Sequence, residues 1–331
     1  MYYLPIKNLQ CISQNTNQGR IFLVRKNLFD EQVCFLRVYH KSYYTNEQLF
    51  NEFPKISKLI KACDNHFITK IMNISLNLQY IFYLFPYVNG CALSSFIYNN
   101  KSFNLNYNVV KFISIQLFLA VRTLHQNQMI HRLINPNNII IDSNGYLKIT
   151  HMISLALVPL SKSSKLEEGD VRYKAPEMLY GNNEYSYAVD YWSIGIIMYV
   201  IISKKFPFNI DMNENDTITS IINDDLQFPS NVINEDFKDI VSKLLDKREE
   251  RRMKSWEEVV NHPFFKDYNI KAIETLSMEA PSELKGRKGC VNPYKNEKYI
   301  TYEEINKQIY KEDENLNKEL SNRKQKMIID E

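Results

Sequence analysis

The side chains of this chain that could do chemistry are scattered along it. Its five cysteines, Cys11, Cys34, Cys63, Cys91 and Cys290, lie far apart, contain no C-x-x-C pair and are odd in number. Neither a disulfide framework nor a zinc site is written in that spacing, and a reducing compartment is the expectation. His151 invites a metal, but no second His, Cys or carboxylate stands at ligand spacing from it. A histidine so isolated is more often structural, so no metal is expected. The basic run at Lys285, Arg287 and Lys288 reads as a solvated turn. With 41 Lys and Arg against 38 Asp and Glu the net charge is only +3, too small to announce nucleic acid or a membrane surface.

The elements that must position any site are clearer. A chain of 331 residues, 44% hydrophobic and 24% charged, has the composition of a globular protein with one large or two medium domains. Two β-rich runs within residues 20–40 flank NLFDE and read as a hairpin, and 79–88 is a third, aromatic strand. Between them KISKLIKAC has helical spacing. Over residues 108–127 Val109, Val110, Ile113, Leu117, Ala120, Val121 and Leu124 recur at three and four, which predicts a long buried helix. A second is expected at 189–203, with shorter ones at 235–246 and 255–262 and a strand-and-loop stretch over 129–179. The longest apolar runs, such as Ile194 to Ile202, are about ten residues, short of the ~20 that span a bilayer, and the first residues lack the order of a signal peptide. A soluble, cytoplasmic chain is expected. After Phe265 the composition turns polar, and from Glu303 onward it is a charged tail.

The segment IHRLINPNNIIIDSNGYLKITHM, residues 130–152, resembles the catalytic segment of a protein kinase, with the spacing to the metal-binding DFG motif kept. RYKAPEMLYG resembles the end of the activation segment, DYWSIGIIMYVIISKKFPF the central helix of the large lobe, and LLDKREERRMKSWEEVVNHPFF the closing helices. The match runs over roughly residues 15–265 and points to the AGC group, nearest the cyclic-nucleotide-dependent kinases. What the resemblance implies is an α+β, bilobal protein-kinase-like fold: a small β-rich N-lobe with one helix at about residues 1–86, a large, mainly helical C-lobe at about 87–265, and an AGC-like tail at 266–331 ending in a long charged helix.

Kinase chemistry in that family uses an Asp to accept the substrate hydroxyl proton, a Lys held by a Glu to fix phosphates, an Asp and an Asn to hold Mg²⁺, and a glycine-rich loop over the triphosphate. By the resemblance Leu133 takes the place of that Asp, and an alkyl group accepts no proton. Asn135 replaces the catalytic-loop Lys. His151, Met152 and Ile153 stand where DFG should, putting an imidazole, a poor Mg²⁺ ligand, in place of the carboxylate. The glycine loop reads QNTNQG, where only Gly19 survives. The phosphate Lys falls on Arg37 (Leu36 if the hairpin is one residue shorter), its partner Glu on Ile56 with Glu52 a helical turn away, and the roof of the adenine slot on Phe35, with Phe85 guarding the back of the pocket. The acidic positions that hold basic substrates map to Ala92 and Asn137. Asn138, one metal ligand, remains.

Other family positions are kept. His131, Arg132, Asp190, Glu177 and Arg252 (or Arg251) match residues that brace the catalytic loop and activation segment, and Met152 keeps an apolar side chain beside His131. Glu167 and Glu168 fall near the phosphothreonine position, held here by Leu166, and stand as a substitute for phosphate or as a solvated loop. The expectation drawn from these losses is a chain that is not an enzyme, a pseudokinase acting as a scaffold or structural subunit without a cofactor. Two alternatives stand beside it: a nucleotide-binding switch without catalysis, and an atypical active Ser/Thr kinase in which a neighbour such as Asp142 replaces Leu133. ATP and Mg²⁺ enter only under these alternatives.

The tail suggests a partner. Residues 302–327 contain no Gly or Pro and place Ile305, Ile309, Leu316, Leu320 and Met327 at steps of four, seven, four and seven, a narrow stripe interrupted by Glu312, Glu319 and Arg323. A helix there would be roughly 39 Å long, with a seam it cannot bury by itself. A solvated tail or a helix folded back on the lobes is the plainer alternative. The expectation is protein partners bound through this helix and the C-lobe surface, with no nucleic acid and no membrane, and an association with the cytoskeleton is a further expectation.

Overall fold

The structure, a computed structural model, describes residues 7–13, 20–25, 33–41, 53–76, 79–99, 106–152, 155–157, 169–180, 185–208, 213–286 and 300–301. In chain order the elements are β1 (Lys7–Ser13), β2 (Arg20–Arg25), β3 (Val33–His40), α1 (Phe53–Ala62), β4 (Asn73–Leu76), β5 (Tyr80–Pro86), β6 (Gly90–Ala92), α2 (Leu93–Asn99) and α3 (Tyr107–Gln126). They continue with β7 (Met129–Ile130), β8 (Ile139–Asp142), β9 (Leu147–Ile149), β10 (Ala156–Leu157), α4 (Pro176–Leu179), α5 (Ala188–Ser203), α6 (Glu214–Asn223), α7 (Glu235–Leu244), α8 (Trp256–Val260), α9 (Ile270–Glu274) and β11 (Ile300–Thr301). Short 3-10 turns form at Pro136–Asn138, Val171–Tyr173 and Pro263–Phe265. The chain has the protein-kinase-like arrangement, a β-sheet N-terminal region and a helical C-terminal region, and divides into two compact units: 1–41, 72–87 and 291–331 in one, 42–71 and 88–290 in the other.

The first unit is an antiparallel sheet of order β11-β1-β2-β3-β5-β4. Alternation along β3 decides its two faces. Cys34, Leu36 and Val38 pack with Phe22, Val24, Tyr80, Phe82 and Leu84 into a buried cluster, while Phe35, Arg37 and Tyr39 point to the other side. On that side Phe35 pairs across strands with Phe85, and Arg37 with Tyr83. A one-residue slip would exchange the faces, so the apolar cluster fixes Arg37, not Leu36, on the second face.

The second unit is built on α3 and α5. The periodic stripe in α3 buries Val109, Ile113, Leu117 and Leu124, and Asn106 caps it by accepting the Val109 N–H at 3.0 Å. By length and composition α3 could cross a membrane, which its interrupted apolar runs do not suggest, but 72% of its most apolar stretch is buried inside the fold, as befits a core helix. In α5 every residue from Ala188 to Ile201 is buried. An all-round apolar helix has to sit at the centre of its lobe. Gly195 allows its closest contact: a Cβ there would lie 2.9 Å from Leu244 Cβ and 2.9 Å from Leu245 Cδ2. The buried Gln116 accepts the Leu147 N–H at 2.9 Å and so ties α3 to the small sheet β6-β8-β9.

Candidate functional site

Asp190, in the first turn of α5 and fully buried, organises the loop that follows β7. Its Oδ1 accepts the Arg132 N–H at 2.9 Å; its Oδ2 accepts the His131 N–H at 2.9 Å and bonds His125 Nε2 at 2.9 Å. Burial pushes this carboxyl upward, but the hydrogen bonds it makes with His125 and the His131 N–H outweigh it, so its pKa lies below the usual value. Burial holds His131 below the ordinary imidazole range, so it is neutral. Its partners fix the tautomer: Nε2–H donates to the Thr150 carbonyl at 2.9 Å, and Nδ1 accepts the Leu133 N–H at 3.3 Å. With Arg132 at φ 70° and His151 at φ 64°, two non-glycine residues occupy the left-handed region here. Such strain of ~1 to 3 kcal/mol each persists only where surrounding contacts dictate it.

The rest of the loop is knitted to itself. The Leu133 carbonyl accepts Asn138 Nδ2 at 2.9 Å and Asn135 Nδ2 at 3.2 Å. Asn135 Oδ1 in turn accepts the Asn137 N–H at 2.9 Å. The Asn138 carbonyl takes the Thr150 N–H at 2.8 Å and its Oγ1 at 3.0 Å, joining the loop to the end of β9. Among the described residues none donates a hydrogen bond to Asn138 Oδ1. The Leu133 side chain is buried against Gly169, where a Cβ would fall 2.2 Å from Leu133 Cδ2. At φ 105° Gly169 needs glycine for its backbone as well. Met152 is buried beside His151.

A second brace links α4 to the loop before α8. Arg252 and Glu177 form a two-pronged pair, Nη1 to Oε1 at 2.5 Å and Nη2 to Oε2 at 2.9 Å. Arg252 also donates Nε to the Asp246 carbonyl at 2.9 Å and lies 5.0 Å from the Trp192 ring. Of the two arginines considered from sequence, Arg252 reaches Glu177, whereas Arg251 is exposed.

Within the first unit, Arg37 Nη1 donates to Tyr39 Oη at 3.4 Å, and Phe35 lies 5.3 Å from the Tyr87 ring. Ile56 belongs to the other unit and is buried in α1. Asp142 serves the β8–β9 turn, its Oδ1 accepting the Asn144 and Tyr146 N–H groups at 2.9 Å each, which engages the carboxylate suggested as a replacement for Leu133. Asn137 is exposed and Ala92 half-buried in β6. Gly19, Glu52, Ile153, Leu166, Glu167, Glu168 and the stripe Ile305, Ile309, Leu316, Leu320 and Met327 lie outside the described residues.

The residues offered to magnesium do not fit it. The resemblance implies Asn138 and the residue at 151, an amide oxygen and an imidazole, whereas Mg²⁺ demands oxygen ligands in near-octahedral array. Among the described residues no cluster of three metal-binding side chains forms. Sequence reasoning missed three features: His125 on Asp190, the Asp170–Arg172 pair at 2.5 Å, and Lys174, whose Cε lies 3.6 Å from the Cβ position of Gly169. Only Asp170 carried a local signal, an acidic cap two residues before its partner.

The protein kinase domain family matches residues 17–265 of the chain. Over 80% of its length the chain is 28% identical to serine/threonine-protein kinase gad8 of Schizosaccharomyces pombe and 27% identical to cAMP-dependent protein kinase type 3 of Saccharomyces cerevisiae, covering 46% and 66% of those proteins. Ribosomal protein S6 kinase beta of Caenorhabditis elegans is 27% identical, again over 80% of this chain and 48% of that protein. The chain thus spans about half to two thirds of these relatives, which are AGC-group kinases. They overturn the expectation that the chain is not an enzyme: the relatives are named protein kinases, and the substitutions at Leu133, Asn135 and His151 change the groups on offer without showing that catalysis is lost. Nor do the relatives support a pseudokinase or scaffold role.

Proposed function

Because the chain belongs to the protein kinase domain family, we propose that it acts as an atypical serine/threonine protein kinase, slower than its relatives. The observation that carries this reading is the Asp190 clamp. Both carboxylate oxygens hold consecutive backbone N–H groups of the loop at 2.9 Å, and Asn138 is anchored on the Leu133 carbonyl. Phosphoryl transfer through a loose transition state asks mainly for positioning, so a rigid loop is the part that matters most. No step is assigned to a metal.

The missing proton acceptor costs rate. A typical kinase turnover of about 1 to 100 per second, reduced by ~10² to 10⁴ for a lost general base, becomes roughly 10⁻⁴ to 1 per second. The test is incubation of the purified full chain with γ-labelled ATP and serine and threonine peptides. Slow label transfer to a hydroxyl, abolished by Asn138→Ala, is the expected result. Label at the level of a heat-inactivated control, or transfer indifferent to Asn138→Ala, would overturn the reading.

A further inference from the structure

Where the segment after α1 passes the last turns of α3, the second unit holds a cavity of about 230 Å³. Among the described residues that line it, only Phe67 and Leu119 are apolar. One wall is built by Asn65, whose Nδ2 donates to the Leu119 carbonyl at 3.1 Å and to Thr123 Oγ1 at 2.7 Å, while its Oδ1 accepts the Phe67 N–H at 2.8 Å. A wall tied in this way is formed before any ligand arrives, so binding has little left to order.

Arg122, on α3, lines the same cavity, with its side chain 34% exposed. Its Cζ lies 4.8 Å from the Trp256 ring, which holds one face of the guanidinium. Nη1 comes to 3.9 Å from Glu274 Oε1, beyond hydrogen-bond reach, and none of the Arg122 side-chain nitrogens makes a hydrogen bond among the described residues. Glu274 is engaged on its other oxygen, where Oε2 accepts Lys271 Nζ at 2.8 Å. Asp64 also lines the cavity and meets Lys70 at 3.7 Å. A guanidinium and a carboxylate oxygen thus face one space with hydrogen-bonding capacity unused.

We infer that this cavity binds a free α-amino acid with a small or polar side chain, its carboxylate on Arg122 and its ammonium on Glu274 Oε1. A lone anion would meet Glu274 and Asp64, and a lone cation would meet Arg122, so charge complementarity asks for a ligand that carries both signs. An amino acid has both on one carbon and can bridge groups 3.9 Å apart, whereas a peptide bond removes one of them. The volume lies below the ~300 to 1,000 Å³ of sites for drug-sized ligands, which keeps the occupant small, and the scarcity of apolar wall disfavours a large aliphatic side chain. The walls run on into the loop described above: the Phe67 carbonyl accepts the Ile149 N–H at 2.8 Å, and His125, in the last turn of α3, bonds Asp190. An occupant therefore ties together elements that carry the Asp190 clamp.

The experiment titrates the full chain, without nucleotide, with L-serine, L-asparagine and L-glutamine in a calorimeter, and then with the N-acetyl and carboxamide derivative of each. At least one free amino acid should bind saturably with a Kd of about 1 mM or tighter, and its two derivatives, each lacking one charge, should bind about tenfold weaker or worse. The melting temperature should rise as that amino acid is added. Arg122→Gln and Glu274→Gln should each weaken binding by about tenfold or more. The Glu274 side chain is 41% exposed, so its variant guards against an Arg122 variant that loses its packing on Trp256, and a melt without ligand checks both folds. No saturable binding of any of the three, derivatives that bind as well as the free amino acid, or an affinity unmoved by Glu274→Gln would overturn the inference.

Discussion

His131, Asp190 and the Arg252–Glu177 pair show what buried polar residues need in order to stay buried: each has partners on nearly every polar atom. Removing one partner exposes the cost of the other. Glu177→Ala leaves Arg252, 1% exposed, without its carboxylate and should lower unfolding free energy by ~3 to 5 kcal/mol. Denaturant melts at neutral pH check this, and an unchanged midpoint would refute the brace. The histidines set the pH behaviour. His131 and His262 both have pKa values lowered in the fold, first by burial, so below an unfolded value of about 6.5 the unfolded chain takes up protons that the folded chain refuses. Their contribution is complete above that pH and is lost as pH falls through the folded values. Asp190, also depressed, adds a further loss at more acidic pH. Urea midpoints should therefore fall from pH 7 to pH 5, and His131→Gln should flatten that slope. A midpoint flat over this range would contradict the assignment.

The helix α5 shows how closely elements approach at the centre of the second unit. Alanine would suit a helix better than glycine by ~1 kcal/mol, but at Gly195 the added methyl would sit 2.9 Å from Leu244 Cβ and Leu245 Cδ2. Overpacking of that kind costs ~1 to 3 kcal/mol, and neighbours on a packed helix yield little. Gly195→Ala should therefore be neutral to destabilising by up to ~2 kcal/mol, read as a lower melting temperature, and a raised one would show that α7 can move aside. Smaller devices set the other ends. Ser255 and Glu258 form a reciprocal capping box at α8, and Asn234 caps α7 by accepting the Phe237 N–H at 2.7 Å.

For the whole molecule, the apolar stripe beyond residue 302 remains a matter of sequence, and we propose that it docks on a protein partner. Leu316→Glu with Leu320→Glu should leave the melting of the folded units unchanged while releasing proteins that co-purify with the chain. If the same proteins stay bound to the variant, the stripe is not the docking element.

The sequence alone determined the elements and the family. The apolar run of α5, the three-four spacing in α3 and the alternation around Cys34, Leu36 and Val38 are local patterns, and burial follows local pattern once the period is known. The motifs around His131, Glu177 and Asp190 are local as well, and they led to the kinase domain that matches residues 17–265. Read as chemistry, however, the losses at Leu133 and His151 led to a conclusion about enzymes that the named relatives do not support. Tertiary structure decided what meets at the site. Asp190 finds its N–H partners 58 and 59 residues away, Arg252 rather than Arg251 turns towards Glu177, and Leu133 meets Lys174 across Gly169. No pattern in the sequence encodes such meetings, because they depend on how loops close between elements and on which side chain each closure leaves facing the other.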